Sequence, residues 1–286
     1  MIRPIAILVG LGFSLVVLLA FVTGAYTWAT DDAPPTAEHE FHLASHAPEG
    51  GFAHDGPFGT WDVAQLQRGY QVYKEVCSAC HSIKYVAFRD LAGLEYTEGQ
   101  IKAEAASYQV PGIDPNTGEA TFRPGLPTDY FPSPYPNAVA AAAANNNAVP
   151  PDLSLITKAR EDGPEYIYSL LTGFGPIPDE LKAEFPEFET PTGLHFNRYF
   201  PNLNLAMAPP LTADGQVSYA EGNPEPTIRQ MAADVAAFLT WTAEPKLVQR
   251  RSTGWPVVGF LIFATILAFF AKKQVWSSAT PRRADD

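Results

Sequence analysis

Cys77-Ser78-Ala79-Cys80-His81 is the stretch that fixes what this chain can be. Two cysteines separated by two residues, with histidine directly after the second, form the C-x-x-C-H pattern of covalent haem attachment. At that spacing each thiol can add to one vinyl group of a haem, forming two thioethers. The histidine is then carried beneath the ring, where an imidazole nitrogen can bind iron. The 286 residues contain no other cysteine, so neither thiol has a spare partner. A lone cysteine pair also fits a redox disulfide or half of a zinc site. Zinc needs four ligands, and no second Cys/His pair of suitable spacing is present.

Outward from the pentapeptide, the apolar spacing predicts helices. Asp62 is a candidate N-cap, and Val63, Leu66, Tyr70 and Tyr73 recur at steps of three and four, which makes one apolar stripe. This helix runs into Cys77 and presents the haem-binding residues at its end. Gly163-Pro164 opens a second helix that buries Ile167, Leu170 and Leu171 and stops at Gly173. A third covers Thr227 to Thr242 with the stripe Ile228, Met231, Val235, Phe238 and Leu239, ended by Glu244-Pro245. Ala138 to Ala144 favours helix and Asn145-Asn146-Asn147 stops it. The proline-rich stretches Arg123 to Pro151 and Pro176 to Pro226 exceed ordinary loop lengths, as loops that cover a cofactor do. A helix leading into the pentapeptide and a late helix packing across it make the expected fold all-α, an enlarged class I cytochrome c-like domain with long irregular loops.

Two uncharged runs flank this domain. Pro4 to Thr30 carries no charge, and neither do the 20 residues Ser252 to Ala271. As a helix the second spans a bilayer core of about 30 Å. Lys272-Lys273 and Arg282-Arg283 follow it, and Arg3 precedes the first, so the positive-inside rule puts both termini in the cytoplasm. The first run is longer than a signal h-region, although Thr23-Gly24-Ala25 offers a weak cleavage site; an uncleaved anchor is expected. The expected organisation is an anchor over 1–30, an extended arm over 31–60, a haem domain over 61–250, a membrane helix over 251–272 and a cytoplasmic tail over 273–286. The arm holds His39, His42, His46 and His54, expected as isolated histidines rather than a metal site.

Charge narrows the partners. Of a total of −12, Arg3 contributes +1 and residues 251–286 contribute +3, leaving −16 on the residues between. Nucleic acid is excluded as a partner for such a surface, whereas a cationic protein is favoured by steering. For a second iron ligand the chain offers only Met1, Met207 and Met231. Met231 belongs to an apolar stripe, where packing explains it. Met207 sits in Asn204-Leu205-Ala206-Met207-Ala208-Pro209-Pro210, a loop stiffened by two prolines. Elimination favours Met207, with His195 as the alternative.

Several segments together resemble the cytochrome c1 family, the haem subunit of the membrane quinol:cytochrome c oxidoreductase. They are Arg68 to Tyr73 with the pentapeptide, Arg123-Pro124-Gly125, Asp129 to Pro132, Pro134 to Asn137, Pro150-Pro151-Asp152-Leu153-Ser154, Tyr168 to Gly173, Met207 to Pro210, Asp234-Val235, Phe238-Leu239 with Trp241, and Ala243-Glu244-Pro245. The resemblance implies one haem c held through Cys77 and Cys80, with His81 and Met207 as axial ligands. It further implies electron transfer from a Rieske iron–sulfur subunit to a basic cytochrome c, beside a cytochrome b subunit, in a dimeric complex of the bacterial inner membrane with the haem domain in the periplasm. The chain alone is then a relay, and the enzyme is the complex. Where the resemblance implies an arginine pairing with a haem propionate, this chain has Ala142; Arg123 is expected either to take part of that role or to pair with a local acid. Asn147 stands where the resemblance implies glycine, a change that is tolerable if the residue is left-handed. The competing expectations are another membrane-bound c-type cytochrome, such as a terminal-oxidase electron-entry subunit, and a haem enzyme or gas sensor with an open iron position.

Overall fold

The computed structural model describes residues 2–30 and 35–277. In chain order its elements are α1 (Ile2–Thr30), α2 (Ala37–Phe41), α3 (Val63–Val72), α4 (Glu98–Ala106), β1 (Gln109–Ile113), β2 (Ala120–Pro124), α5 (Ala138–Ala144), α6 (Ile156–Ala159), α7 (Gly163–Thr172), α8 (Asp179–Glu184), β3 (His195–Phe196), β4 (Asn204–Leu205), α9 (Ile228–Ala243) and α10 (Leu247–Trp276). Two further turns of helix are irregular, a π turn over Tyr73–Cys77 and a 3-10 stretch over Phe88–Leu94.

The core is built where α3 crosses α9. Asp62 caps α3 by accepting from the Gln65 N–H at 3.1 Å, and Thr227 caps α9 by accepting from Gln230 at 3.1 Å, as short oxygen-bearing side chains do at helix starts. Every residue of α9 from Met231 to Thr242 is buried. The crossing is close because Gly69 has no side chain: a Cβ there would lie 2.7 Å from Phe238 Cβ and closer still to the Asp234 carbonyl oxygen. Tyr70 and Tyr73 then meet the Phe238 ring at 5.5 and 5.8 Å. Helix α7, with Pro164 in its first turn and Gly173 at its end, packs against α9.

One ionic network ties the two crossing helices. Arg68 of α3 donates to both Asp234 carboxylate oxygens, at 2.9 and 3.1 Å. Asp234 is fully buried, and it also accepts from Tyr219 Oη at 2.9 Å and Gln230 Nε2 at 2.8 Å. Both of its oxygens are satisfied, which is the condition under which a buried carboxylate is tolerated.

The structure corrects the expected organisation in three places. The chain is helix-rich but not all-α: β1 pairs antiparallel with β2, and β3 with β4. Residues 35–60 are no free arm: α2 buries Ala37, and Phe52 and His54 are buried too. The last helix starts before the uncharged run, at Leu247, and continues through Trp276, so residues 273–276 are helix rather than tail. The rest of the expected tail, 278–286, lies outside the described residues, as do 31–34 of the arm. Helix α10 and the Arg3–Thr30 stretch of α1 are each long and apolar enough to cross a membrane.

A second, smaller core joins Ala37, Leu181, Phe196 and Leu203, with Phe41, Ile177, Phe185 and Phe188 packed on it. It lies under the β3–β4 ribbon, the element that leads directly to Met207.

Candidate haem site

The pentapeptide begins where α3 loosens. The π turn carries Tyr73 to Cys77, and the Ser78 N–H donates to the Tyr73 carbonyl at 2.8 Å. The Cys77 carbonyl then accepts from Cys80 N–H at 3.1 Å and His81 N–H at 2.9 Å. This fold-back brings both sulfurs and the imidazole onto one short loop. Cys77 and Cys80 are free thiols, each partly buried. Burial, with the neighbouring Cys80 adding to it, pushes the Cys77 thiol up to about 12. Tyr135 Oη donates to the Cys80 sulfur at 3.8 Å.

His81 is held in one orientation. Its Nδ1 lies 2.8 Å from the Pro151 carbonyl, which can only accept, so Nδ1 carries the proton and Nε2 keeps its lone pair. This is the arrangement by which a second partner orients a metal-ligating histidine. Burial lowers the affinity of His81 for a second proton, against the opposing effects of Pro151 and Asp152. Tyr73 Oη donates to the His81 carbonyl at 3.0 Å.

The Pro151–Ser154 segment is itself pinned. Asp152 accepts from Ser82 Oγ at 2.6 Å, Lys84 N–H at 2.9 Å and Ser154 N–H at 3.0 Å. Burial pushes its carboxyl up, but these bonds outweigh it and hold the group below the usual carboxylate range. Leu153 N–H reaches the Ser82 carbonyl at 2.8 Å, and Thr242 of α9 reaches the Ser154 carbonyl at 3.3 Å. The imidazole is therefore braced through Pro151 to the core helix.

The residues fit the group that the motif implies. Two free thiols stand two residues apart, and the adjoining imidazole has its outer nitrogen free of the bond that fixes the ring. Among the described residues no cluster of three His, Cys, Asp or Glu side chains could hold a metal ion.

Met207 stands two residues past the end of β4, after Ala206, and is half-buried. Its loop runs from the small core, where Leu203 is buried, to Leu211 in the main core. Met231, by contrast, is fully buried within the main core, as packing requires. His195 opens β3, opposite Leu205, and lines a groove of about 640 Å³ with Phe174, Phe196, Pro209 and Leu211.

Arg123 stands apart from the pentapeptide in its bonding. Its guanidinium makes a two-pronged pair with Asp129 at 2.6 and 2.8 Å, the local-acid alternative. Arg160, at the end of α6, instead interacts with the Tyr166 hydroxyl, and among the described residues it forms no ion pair. Sequence reasoning passed over the Pro151 carbonyl, since a backbone acceptor has no sequence signature.

A model of the cytochrome C1 family matches residues 52–279. The chain is 43% identical over 254 residues to the mitochondrial cytochrome c1 haem protein of Saccharomyces cerevisiae, covering 89% of this chain and 78% of that one. It is 43% identical over 249 residues to cytochrome c1 of Rhodospirillum rubrum, covering 82% and 91%. A cytochrome b/c1 protein of Bradyrhizobium diazoefficiens is 44% identical over 246 residues, 78% of this chain but 34% of that longer protein.

Proposed function

The chain belongs to the cytochrome c1 family, the haem subunit of the cytochrome bc1 complex, and from that premise we propose that it relays electrons from a Rieske iron–sulfur protein to a basic cytochrome c. In this reading one haem c is bound through thioethers at Cys77 and Cys80, with His81 and Met207 as axial ligands. The haem supplies a reversible one-electron change at iron. The chain supplies the rest: the fold-back at Cys77 sets the two sulfurs, the Pro151 carbonyl aims His81 Nε2, and the Met207 loop brings a thioether. The close crossing of α3 and α9 at Gly69, with the pentapeptide at the end of α3, supports a class I cytochrome c-like core for the domain. A neutral imidazole and a neutral thioether together raise the potential relative to more basic ligand sets, which suits a carrier late in quinol oxidation.

The observation that carries this reading is the His81–Pro151 bond beside two free thiols. Were His81 and Met207 both to hold the iron, no place would be left on it for oxygen or substrate, as a relay requires and a gas sensor or haem enzyme would not allow. For the propionates, Asp129 already engages the Arg123 fork, so any part Arg123 plays there is shared with that carboxylate. α10 crosses the bacterial inner membrane with its Lys272-Lys273 end in the cytoplasm, and the haem domain lies in the periplasm next to cytochrome b in a dimeric complex.

The test compares Met207→Leu with Met231→Leu in the haem-loaded protein. Met207→Leu should keep the covalent haem, bind carbon monoxide and lower the midpoint potential, each 59 mV being a factor of ten for a one-electron couple. Met231→Leu, a nearly volume-conserving change, should leave all three as in the wild type. Wild-type potential and exclusion of carbon monoxide in Met207→Leu would remove Met207 from the iron.

A further inference from the structure

The segment ahead of the pentapeptide ends on the same ribbon that delivers Met207. Ala37 of α2 is buried against Phe196 of β3 and Leu203 just before β4. Phe41 packs on the same cluster and meets the Phe185 ring edge-on at 6.1 Å. Leu43 N–H donates to the Arg198 carbonyl at 2.8 Å, and His42 Nε2 lies 3.3 Å from the Tyr199 carbonyl. His46 Nε2 is 3.1 Å from Tyr199 Oη, while its N–H donates to Ser169 Oγ of α7 at 2.8 Å. Residues 37–46 thus hold the connection between β3 and β4 from one side. Asn197, fully buried, holds it to α7 from the other by donating to the Leu170 carbonyl at 2.8 Å.

A second observation shows that the ribbon is under constraint. Leu203 is buried at φ 61°, a left-handed backbone for a residue with a bulky side chain. Such a conformation costs about 1–3 kcal/mol and persists only where the surroundings over-determine it. Part of what surrounds Leu203 is Ala37 and Phe41. The strained residue stands four positions before Met207, and the intervening Asn204–Leu205 is paired strand.

We infer that residues 36–46 are a strap that positions the sixth iron ligand: they clamp the β3–β4 ribbon and so fix where the Met207 thioether is presented. This rests on the reading of Met207 as a ligand. The strap precedes the residues matched by the family model, 52–279, and none of its side chains is proposed to touch the haem. It acts through Phe196, Leu203 and Tyr199. With the strap loosened, Leu203 can relax toward an ordinary backbone and the loop beyond it loses its fixed origin.

The experiment uses the full haem-loaded chain in detergent and reads three signals. They are the near-infrared ferric band of thioether-bound iron, carbon monoxide binding to the ferrous form, and the midpoint potential; covalent haem per chain reports folding. Phe41→Ala and Ala37→Asp should retain covalent haem, lose at least half of the ferric band, admit carbon monoxide and shift the one-electron equilibrium about tenfold, or 59 mV. Phe41→Leu should restore all three signals. If Ala37→Asp fails to accumulate with haem, His46→Ala, which removes two side-chain hydrogen bonds, to the Ala47 carbonyl and Tyr199 Oη, and the ring contacts with Tyr168 and Tyr199, carries the same test. Wild-type signals in Phe41→Ala and His46→Ala, with Met207→Leu losing the ferric band, binding carbon monoxide and falling in potential, would overturn the strap and leave the ligand standing. Wild-type signals in Met207→Leu itself would overturn the ligand assignment instead.

Discussion

Gly69→Ala and Gly99→Ala make the same chemical change in two helices and should have opposite effects. Alanine is favoured over glycine in a helix by about 1 kcal/mol, so both would stabilise if nothing else intervened. At Gly99, in the first turn of α4, nothing lies within 4 Å of the added Cβ, and a gain of about 0.4–1 kcal/mol is expected. At Gly69 the new Cβ falls 2.7 Å from Phe238 Cβ, where ordinary contact begins at 3.4 Å. The helices must part by about 0.7 Å to clear that one contact, and a gap of this size forfeits a quarter to a half of the dispersion well for atoms facing it. The other obstruction is the Asp234 carbonyl, backbone that no rotamer change can move. Overpacking of this kind costs about 1–3 kcal/mol. The obstruction from fixed backbone puts Gly69 at the upper end, so the net loss should be about 2 kcal/mol after the helix gain. Urea unfolding of the detergent-solubilised chain, followed by tryptophan fluorescence, measures both variants. A Gly69→Ala midpoint equal to or above that of the wild type would refute the claim that the α3–α9 approach needs a bare glycine.

Three further outcomes are expected. Asp234→Ala should destabilise by about 3–5 kcal/mol by stranding the Arg68 guanidinium, measured in the same unfolding assay; a loss below about 1 kcal/mol would mean that the network is not tight. Asp152 has its carboxyl held below the usual range, so its stabilising contribution is present above the ordinary carboxylate pKa and disappears as pH falls through the lowered folded value. Asp152→Asn should flatten that part of the acid-unfolding curve, and an unchanged slope would exclude it as a contributor. With −16 on the residues between Arg3 and Arg251, electron transfer to a basic soluble cytochrome c should slow as salt rises; stopped-flow rates that are flat with salt would rule out steering.

Local chemistry was legible in the sequence, and long-range closure was not. Asp62, Thr227 and Gly173 mark helix ends because capping depends on a few neighbouring atoms, and the structure places helix ends there. Asn147 is left-handed at φ 63°, the condition under which asparagine can stand in for glycine there. That the expected arm packs on the domain was not legible, because its polar, Gly- and Pro-containing composition resembles a linker. The burial of Ala37 and the partial burial of Phe41 come from partners at residues 177–203, which no local pattern reveals. The β1–β2 ribbon was hidden by Pro111, Gly112 and Pro124, residues that weaken strands. At the site, the thiol spacing and His81 were legible from one motif. The orientation of the imidazole depends on a carbonyl 70 residues away, and the commitment of Arg123 on which acid its turn happens to present.

The junction between α9 and α10 has a consequence for how the molecule works. Only Glu244, Pro245 and Lys246 separate the two helices, and Leu247 is buried. Glu244 is bonded to Lys158 at 3.3 Å and also to Arg250, while Arg251 clasps the His54 and Gly56 carbonyls at 2.6 and 2.7 Å. A joint so short and so cross-tied leaves little room for a swivel. The domain sits on α10 as on a fixed mast, and the height and tilt of the pentapeptide follow those of α10. If the chain relays electrons as proposed, any journey between donor and acceptor falls to the partners, which must swing or diffuse to a stationary port.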